Sequence, residues 1–230
     1  MIKKANLLSK QVALVTGADH KLGRSLALAF SGAGALTALT GSNKEMLNQT
    51  ALAIHQLGGI CHPFAVEVKT ALDARTVAAE VCALLGEIDI LVNCAGLQRE
   101  GTPGSENPPD LPLWWMAAAE ASMSVRGGGV ILNLASATAP VSQLFRPTDV
   151  SPNYFADKAG LVKLTNACAP RLLEENIRIH ALCPTWIESD AESQPALAAG
   201  VCQLALYLCT AEGDRLNGQV LSVDYPSKGG

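Results

Sequence analysis

The sequence predicts a single α/β domain of the doubly wound class, a parallel sheet covered by helices on both faces. Three observations point there. Short apolar runs of strand type alternate with segments of helical period, a glycine-bearing turn follows the first run, and 230 residues at 49% hydrophobic content suit one core. No shift in composition marks a second domain, so residues 1–230 are read as one.

The elements follow in order. Residues 11–16 form a short apolar strand, and residues 22–33 place Leu22, Leu26, Ala29 and Phe30 on one helical face. A second strand spans 36–40, a helix 44–57, a strand 61–68 and a helix 71–85. Residues 88–93 are apolar throughout until Asn93, apart from Asp89, as in strands buried on both faces. The stretch 99–112, with four prolines and two glycines, reads as an elaborated connection, and Trp114 and Trp115 follow on a helix where one of them is expected to be buried. Beyond it come a strand at 130–135, a helix at 154–175, a strand at 177–183, a helix at 196–209 and a strand at 219–223.

Composition narrows the function. A net charge of −4 with scattered basic residues leaves no electrostatic footprint for nucleic acid or an anionic membrane. No window has the apolar length of a membrane span, and no long apolar run follows Lys3 and Lys4, so a cytoplasmic protein is expected. The seven cysteines are odd in number and lack metal-type spacing, which fits a reducing compartment and no metal site. The partner is expected to be a small molecule.

In doubly wound sheets the ligand sits at the carboxyl ends of the strands. After the first strand, Thr16-Gly17-Ala18-Asp19-His20-Lys21-Leu22-Gly23-Arg24 is a turn into a helix whose N–H groups can hold phosphate, although a tight turn with Gly17 at positive φ accounts for the same residues as well. After the fourth come Asn93-Cys94-Ala95-Gly96, and after the fifth Ala135-Ser136, with Tyr154 eighteen residues on. Tyr154 and Lys158 are four apart on one helix face, where a cation favours the phenolate.

Taken in this order, the residues resemble the short-chain dehydrogenase/reductase family over nearly the whole chain. Thr16-Gly17 and Gly23 are similar to its TGxxxGxG motif, Asn93 to Gly96 to its NNAG, Ser136 to its catalytic serine, and Tyr154 with Lys158 to its YxxxK. Asn217-Gly218-Gln219-Val220 with Asp224 is similar to its closing TGQxxxxD. The resemblance implies a Rossmann-type fold, a homo-oligomer (dimer or tetramer), and hydride exchange between a nicotinamide dinucleotide and a carbonyl or alcohol substrate. By the same resemblance Tyr154 is the general acid of carbonyl reduction, Lys158 lowers its pKa and holds the nicotinamide ribose, and Ser136 binds the substrate oxygen. The implied cofactor contacts are Gly17, Asp19, Lys21, Leu22, Gly23, Ser42, Asn43, Glu67, Val68, Asn93, Ala95, Gly96 and Pro184, together with Tyr154 and Lys158.

Departures from the family pattern refine the expectation. Lys21 stands where the middle glycine belongs, as in the TGxxxRLGRS form of pteridine-reductase-like members. The second strand ends Thr40-Gly41-Ser42-Asn43-Lys44, with no acid to bind a ribose diol and with Lys21, Ser42, Asn43 and Lys44 available to a 2′-phosphate, so NADP(H) is favoured with NAD(H) as the alternative. Glu67 replaces the aspartate that the family places near the adenine. No asparagine occurs between residues 111 and 132 to serve as the family's fourth catalytic member; Asn107 precedes Pro108-Pro109 and so falls in a loop, and Ser122 and Ser124 are weak substitutes for holding its water. The lid after Pro184-Thr185 is cropped, which leaves a more open site or one covered by residues 137–153, including Phe145 and Arg146, or by a partner subunit. Three activities remain: an NADPH-dependent ketone or aldehyde reductase in the lead, a nucleotide-binding protein with little turnover, and a non-redox isomerase or cyclase using Tyr154.

Overall fold

The computed structural model describes residues 6–95, 108–135, 152–184 and 195–223, from the backbone alone at 152–156 and 195–197. The elements are β1 (Val12–Val15), α1 (Lys21–Gly32), β2 (Leu36–Gly41), α2 (Lys44–Gln56), β3 (Cys61–Ala65), α3 (Ala71–Leu85), β4 (Ile90–Asn93), α4 (Leu111–Arg126), β5 (Gly129–Leu134), α5 (Pro152–Glu174), β6 (Ile177–Pro184), α6 (Pro195–Leu208) and β7 (Val220–Val223). The strands form one sheet in the order β3-β2-β1-β4-β5-β6-β7. Every neighbouring pair is parallel. The chain winds outward from β1 to β3, returns beside β1 with β4, and winds outward the other way to β7. The reversal between β1 and β4 opens the crevice in which such sheets bind ligands.

Strand alternation divides the core into two layers. Ala13 and Val15 of β1 join Leu39, Ile90, Val92, Leu132 and Leu182 under α1, α2 and α6. Val12 and Leu14 point the other way, with Leu91, Ile131 and Ile179, against α3, α4 and α5. On α1 the buried face carries Leu22, Leu26 and Phe30, while Ala29 packs at its margin. Capping sets two helix starts: the Asn43 side chain accepts from Met46 N at α2, and Thr70 with Asp73 forms a reciprocal capping box at α3. The hydrogen bonds to Asp73 hold its carboxyl below the usual carboxylate range.

Element boundaries differ from the sequence expectation for local reasons. β3 stops at Ala65 rather than at Val68 because its neighbour β2 ends at Gly41, whose carbonyl takes a last bond from Val66 N at 2.9 Å. β4 starts at Ile90 rather than at Ile88 because Ile88 N donates to the Ser122 hydroxyl (2.8 Å) instead of to a neighbouring strand.

Of the two tryptophans, Trp115 is 1% exposed in the layer between α3, α4 and the sheet, and Trp114 is only partly buried at its edge. Trp115→Ala should therefore lower stability by about 3–5 kcal/mol, with a clearly smaller loss for Trp114→Ala. Urea denaturation curves of the two variants check this, and equal losses would contradict the placement.

Candidate active site

The carboxyl edge of the sheet is closed by a buried polar chain. Thr16, directly after β1, donates its N–H to Val92 O at 3.0 Å, and its hydroxyl oxygen accepts from Cys94 N (2.9 Å) and Ala95 N (3.0 Å). Asn93 at the end of β4 donates through Nδ2 to Pro112 O (2.9 Å) and to Asn133 Oδ1 on β5 (3.3 Å). Asn133 Nδ2 donates to Thr165 Oγ1 on α5 (3.0 Å), whose own hydroxyl donates to Leu161 O (2.9 Å). Thr16, Asn93, Asn133 and Thr165 are all buried. Polar groups this deep are costly unless partnered, so the chain fixes β1, β4, β5 and α5 in one register.

The loop between β1 and α1 is held by close approach. Gly17 has φ +65°, and a Cβ there would lie 3.1 Å from Ala95 Cα. A Cβ on Gly23 would come to 2.1 Å from Gly17 O, so α1 begins directly against the loop backbone. No side chain caps α1, and no acidic residue lies in its first turn. Its N-terminal N–H groups and positive dipole end therefore suit an anionic phosphate, and the residues present fit a dinucleotide pyrophosphate.

Asp19 changes the reading of this corner. Its side chain is 1% exposed and lies over the end of β2, where Oδ2 accepts from Asn43 N at 2.8 Å. A Cβ on Gly41 would be 2.3 Å from Asp19 Cγ. The expectation of a carboxylate-free end to β2 is thus overturned: the acid comes from the first loop and occupies the space that a side chain at position 41 would take. The loop is anchored there by Ala18 N to Thr40 O (2.9 Å) and by the Thr50 hydroxyl to Ala18 O (2.9 Å).

The other expected cofactor residues are distributed as follows. Lys21 and Ser42 are exposed beside this corner, while the Asn43 side chain is committed to capping α2. Leu22 is buried in the core, Val68 is buried after β3, and Glu67 is exposed and paired with Lys69 at 3.0 Å. Ala95 is half-buried, and Asn93 points its side chain into the interior chain already described. Pro184 closes β6. Ser122 bonds Ile88 N and Glu87, at the amino end of β4, and Ser124 bonds Glu120 O and Glu175. Neither serine is at the edge of the sheet that carries the other site residues.

Of the residues expected to be catalytic, Lys158 is 4% exposed on α5. It stands two turns before Thr165 on the same helix, and its charge acts on the Cys183 thiol at the end of β6, which burial pushes up to about 11 against that influence. Tyr154 lies in α5 one turn before Lys158; its side chain, together with Ser136, Gly96, Asn107, Phe145, Arg146, Thr185, Ser189 and Asp224, falls outside the described residues. Sequence reasoning missed Asn133 and Thr165, although a lone Asn in the apolar run Val130-Ile131-Leu132-Asn133-Leu134 is a signal that a buried amide must find partners.

Comparison with known proteins agrees with this architecture. Family profiles described as short chain dehydrogenase and as Enoyl-(Acyl carrier protein) reductase match residues 11–110 and 112–200. The D-threitol dehydrogenase of Mycolicibacterium smegmatis is 31% identical over 78% of this chain and 71% of its own. The chain belongs to the short-chain dehydrogenase/reductase family. The 7alpha-hydroxysteroid dehydrogenase of Escherichia coli is 27% identical over 97% of this chain and 96% of its own. A crystal structure of a short-chain type dehydrogenase/reductase from Mycobacterium marinum superposes with a TM-score of 0.79 at 26% identity, covering 95% of both chains. As a member of this family the protein is a dehydrogenase/reductase that uses NAD(P)(H).

Thr16→Val should leave the two N–H groups of Cys94 and Ala95 without an acceptor and lower stability by about 1–3 kcal/mol. An unchanged denaturation midpoint would show that the Thr16 hydroxyl does not hold the two loops together.

Proposed function

We propose that this short-chain dehydrogenase/reductase reduces a ketone or aldehyde, or oxidises the matching alcohol, with Tyr154 as the proton-transferring group. The observation that carries the reading is the buried Lys158 on α5, one turn beyond Tyr154 and close to the carboxyl end of β6. Two relatives named for alcohols, a hydroxysteroid and threitol, support an alcohol/carbonyl pair as substrate. Among the described residues no helix is long and apolar enough to cross a membrane, and the seven cysteines are free thiols, which supports a cytoplasmic setting.

The bound dinucleotide supplies or accepts the hydride, and the start of α1 with Gly17 and Gly23 would hold its pyrophosphate. Ser136 donates a hydrogen bond to the substrate oxygen and steadies charge as it develops there. Tyr154 delivers the proton to that oxygen in reduction and removes it in oxidation. Lys158 favours the phenolate, and its burial away from bulk water strengthens the influence of its charge. The preference for NADP(H) expected from the sequence rested on the positive charge of Lys21 and on an end of β2 without a carboxylate, and the second of these grounds is removed by Asp19.

We also infer a homo-oligomer, in keeping with the family resemblance. Leu113 and Val125 on α4 and Leu173 on α5 are exposed apolar side chains that support a contact on these helices. Light scattering at working concentration should give a mass of two or four chains, and a monomer alone would refute the assembly.

A panel of ketones and aldehydes, offered with NADH and with NADPH and followed at the nicotinamide absorbance, tests the activity. With the substrate so found, Tyr154→Phe should lower turnover by at least about 10²-fold while dinucleotide affinity stays nearly unchanged. Turnover equal to that of the unmodified protein would eliminate Tyr154 as the proton donor.

A further inference from the structure

The Asp19 carboxylate has one oxygen in use and one to spare. Oδ2 accepts from Asn43 N at 2.8 Å. Oδ1 is buried and has no hydrogen-bond partner among the described residues, with His20 Nε2 3.5 Å away. A carboxylate oxygen that gives up water without gaining a donor is unfavourable. A ligand hydroxyl would remove that deficit.

The place of this oxygen identifies the hydroxyl. It stands over the end of β2, two residues before α1 begins at Lys21, so a dinucleotide with its pyrophosphate on the start of α1 brings its adenosine ribose to this corner. Gly41 is partly exposed and Ser42, Asn43 and Lys44 are exposed, so the turn framing the carboxylate faces solvent. We propose that Asp19 is the residue that selects the cofactor: Oδ1 accepts a hydrogen bond from the ribose diol of NAD(H), and its charge rejects the 2′-phosphate of NADP(H). This rests on the oxidoreductase reading above and names the cofactor for it.

The acid thus reaches the ribose from the glycine-bearing loop and not from β2 itself. Gly41 is what admits it, since any Cβ at that position would collide with the carboxylate. The diol gives Oδ1 the donor it lacks, while Asn43 N keeps Oδ2 in place. His20, whose side chain is one-third exposed, flanks the same oxygen with Nε2 at 3.5 Å. A 2′-phosphate in the same position would set its charge against that of the buried Asp19 carboxylate, and the two anions would repel each other.

Titration of nicotinamide fluorescence with NADH and NADPH separately tests the assignment without requiring a substrate. The unmodified protein should bind NADH at least 10-fold more tightly than NADPH. Asp19→Asn retains an acceptor for Asn43 N but removes the charge, and should reduce that ratio at least 10-fold. Gly41→Ala, which displaces the carboxylate without altering its charge, should reduce the ratio in the same direction and serves if the first variant fails to fold. Equal or tighter binding of NADPH by the unmodified protein would overturn the proposal, as would a ratio unmoved in a folded variant. Binding of neither dinucleotide would overturn the oxidoreductase reading and the proposal with it, whereas NADH binding with no carbonyl turnover would strike the catalytic reading alone.

Discussion

The carboxyl edge of this sheet is organised by the hydroxyl of Thr16, which takes the N–H groups of Cys94 and Ala95 and so joins the loops after β1 and β4 at the point where the strand order reverses. With that junction fixed, Gly17 can lie against Ala95 without a side chain between them, and Gly23 can bring α1 onto the loop. Asn93 and Asn133 extend the same buried polar chain to Thr165, on the helix that also carries Lys158. The turn proposed to hold the cofactor and the helix that carries Lys158 are therefore tied to a single set of hydrogen bonds. Its depth makes it strong: each donor left alone in that interior would be a loss that no water repairs.

The order of elements was legible because strand and helix periods differ and because a glycine-bearing turn follows the first strand. The apolar runs 11–16 and 88–93 read as strands and contain β1 and β4, whereas the Thr70/Asp73 capping box that starts α3 is a finding of the structure. Strand ends were less legible, since β3 ends where its neighbour ends and β4 starts where Ser122 stops competing for a backbone donor. Such limits belong to pairs of distant residues and leave no local trace.

The candidate site shows the same division. Gly17, Gly23 and the Tyr154/Lys158 spacing were readable as local motifs, and the family resemblance ordered them. Reading the end of β2 from its own residues led to the wrong charge, because Asp19 and Gly41 are twenty-two positions apart in the chain and meet only after the loop folds back onto the strand. The absence of a side chain at Gly41 was visible in the sequence, but the reason for it was not. Asn133 and Thr165 escaped for a related reason: a polar residue in an apolar strand announces that it has a partner without saying which.

The central claim is that a carboxylate supplied by the first loop meets the adenosine ribose at the end of β2. A crystal structure of the protein with bound NADH tests it most directly. The account predicts a ribose hydroxyl within hydrogen-bonding distance of Asp19 Oδ1, with Oδ2 still on Asn43 N and Gly41 beneath the carboxylate. A bound NADH whose ribose hydroxyls make no contact with Asp19, while Oδ1 remains closed off as in the free protein, would contradict it.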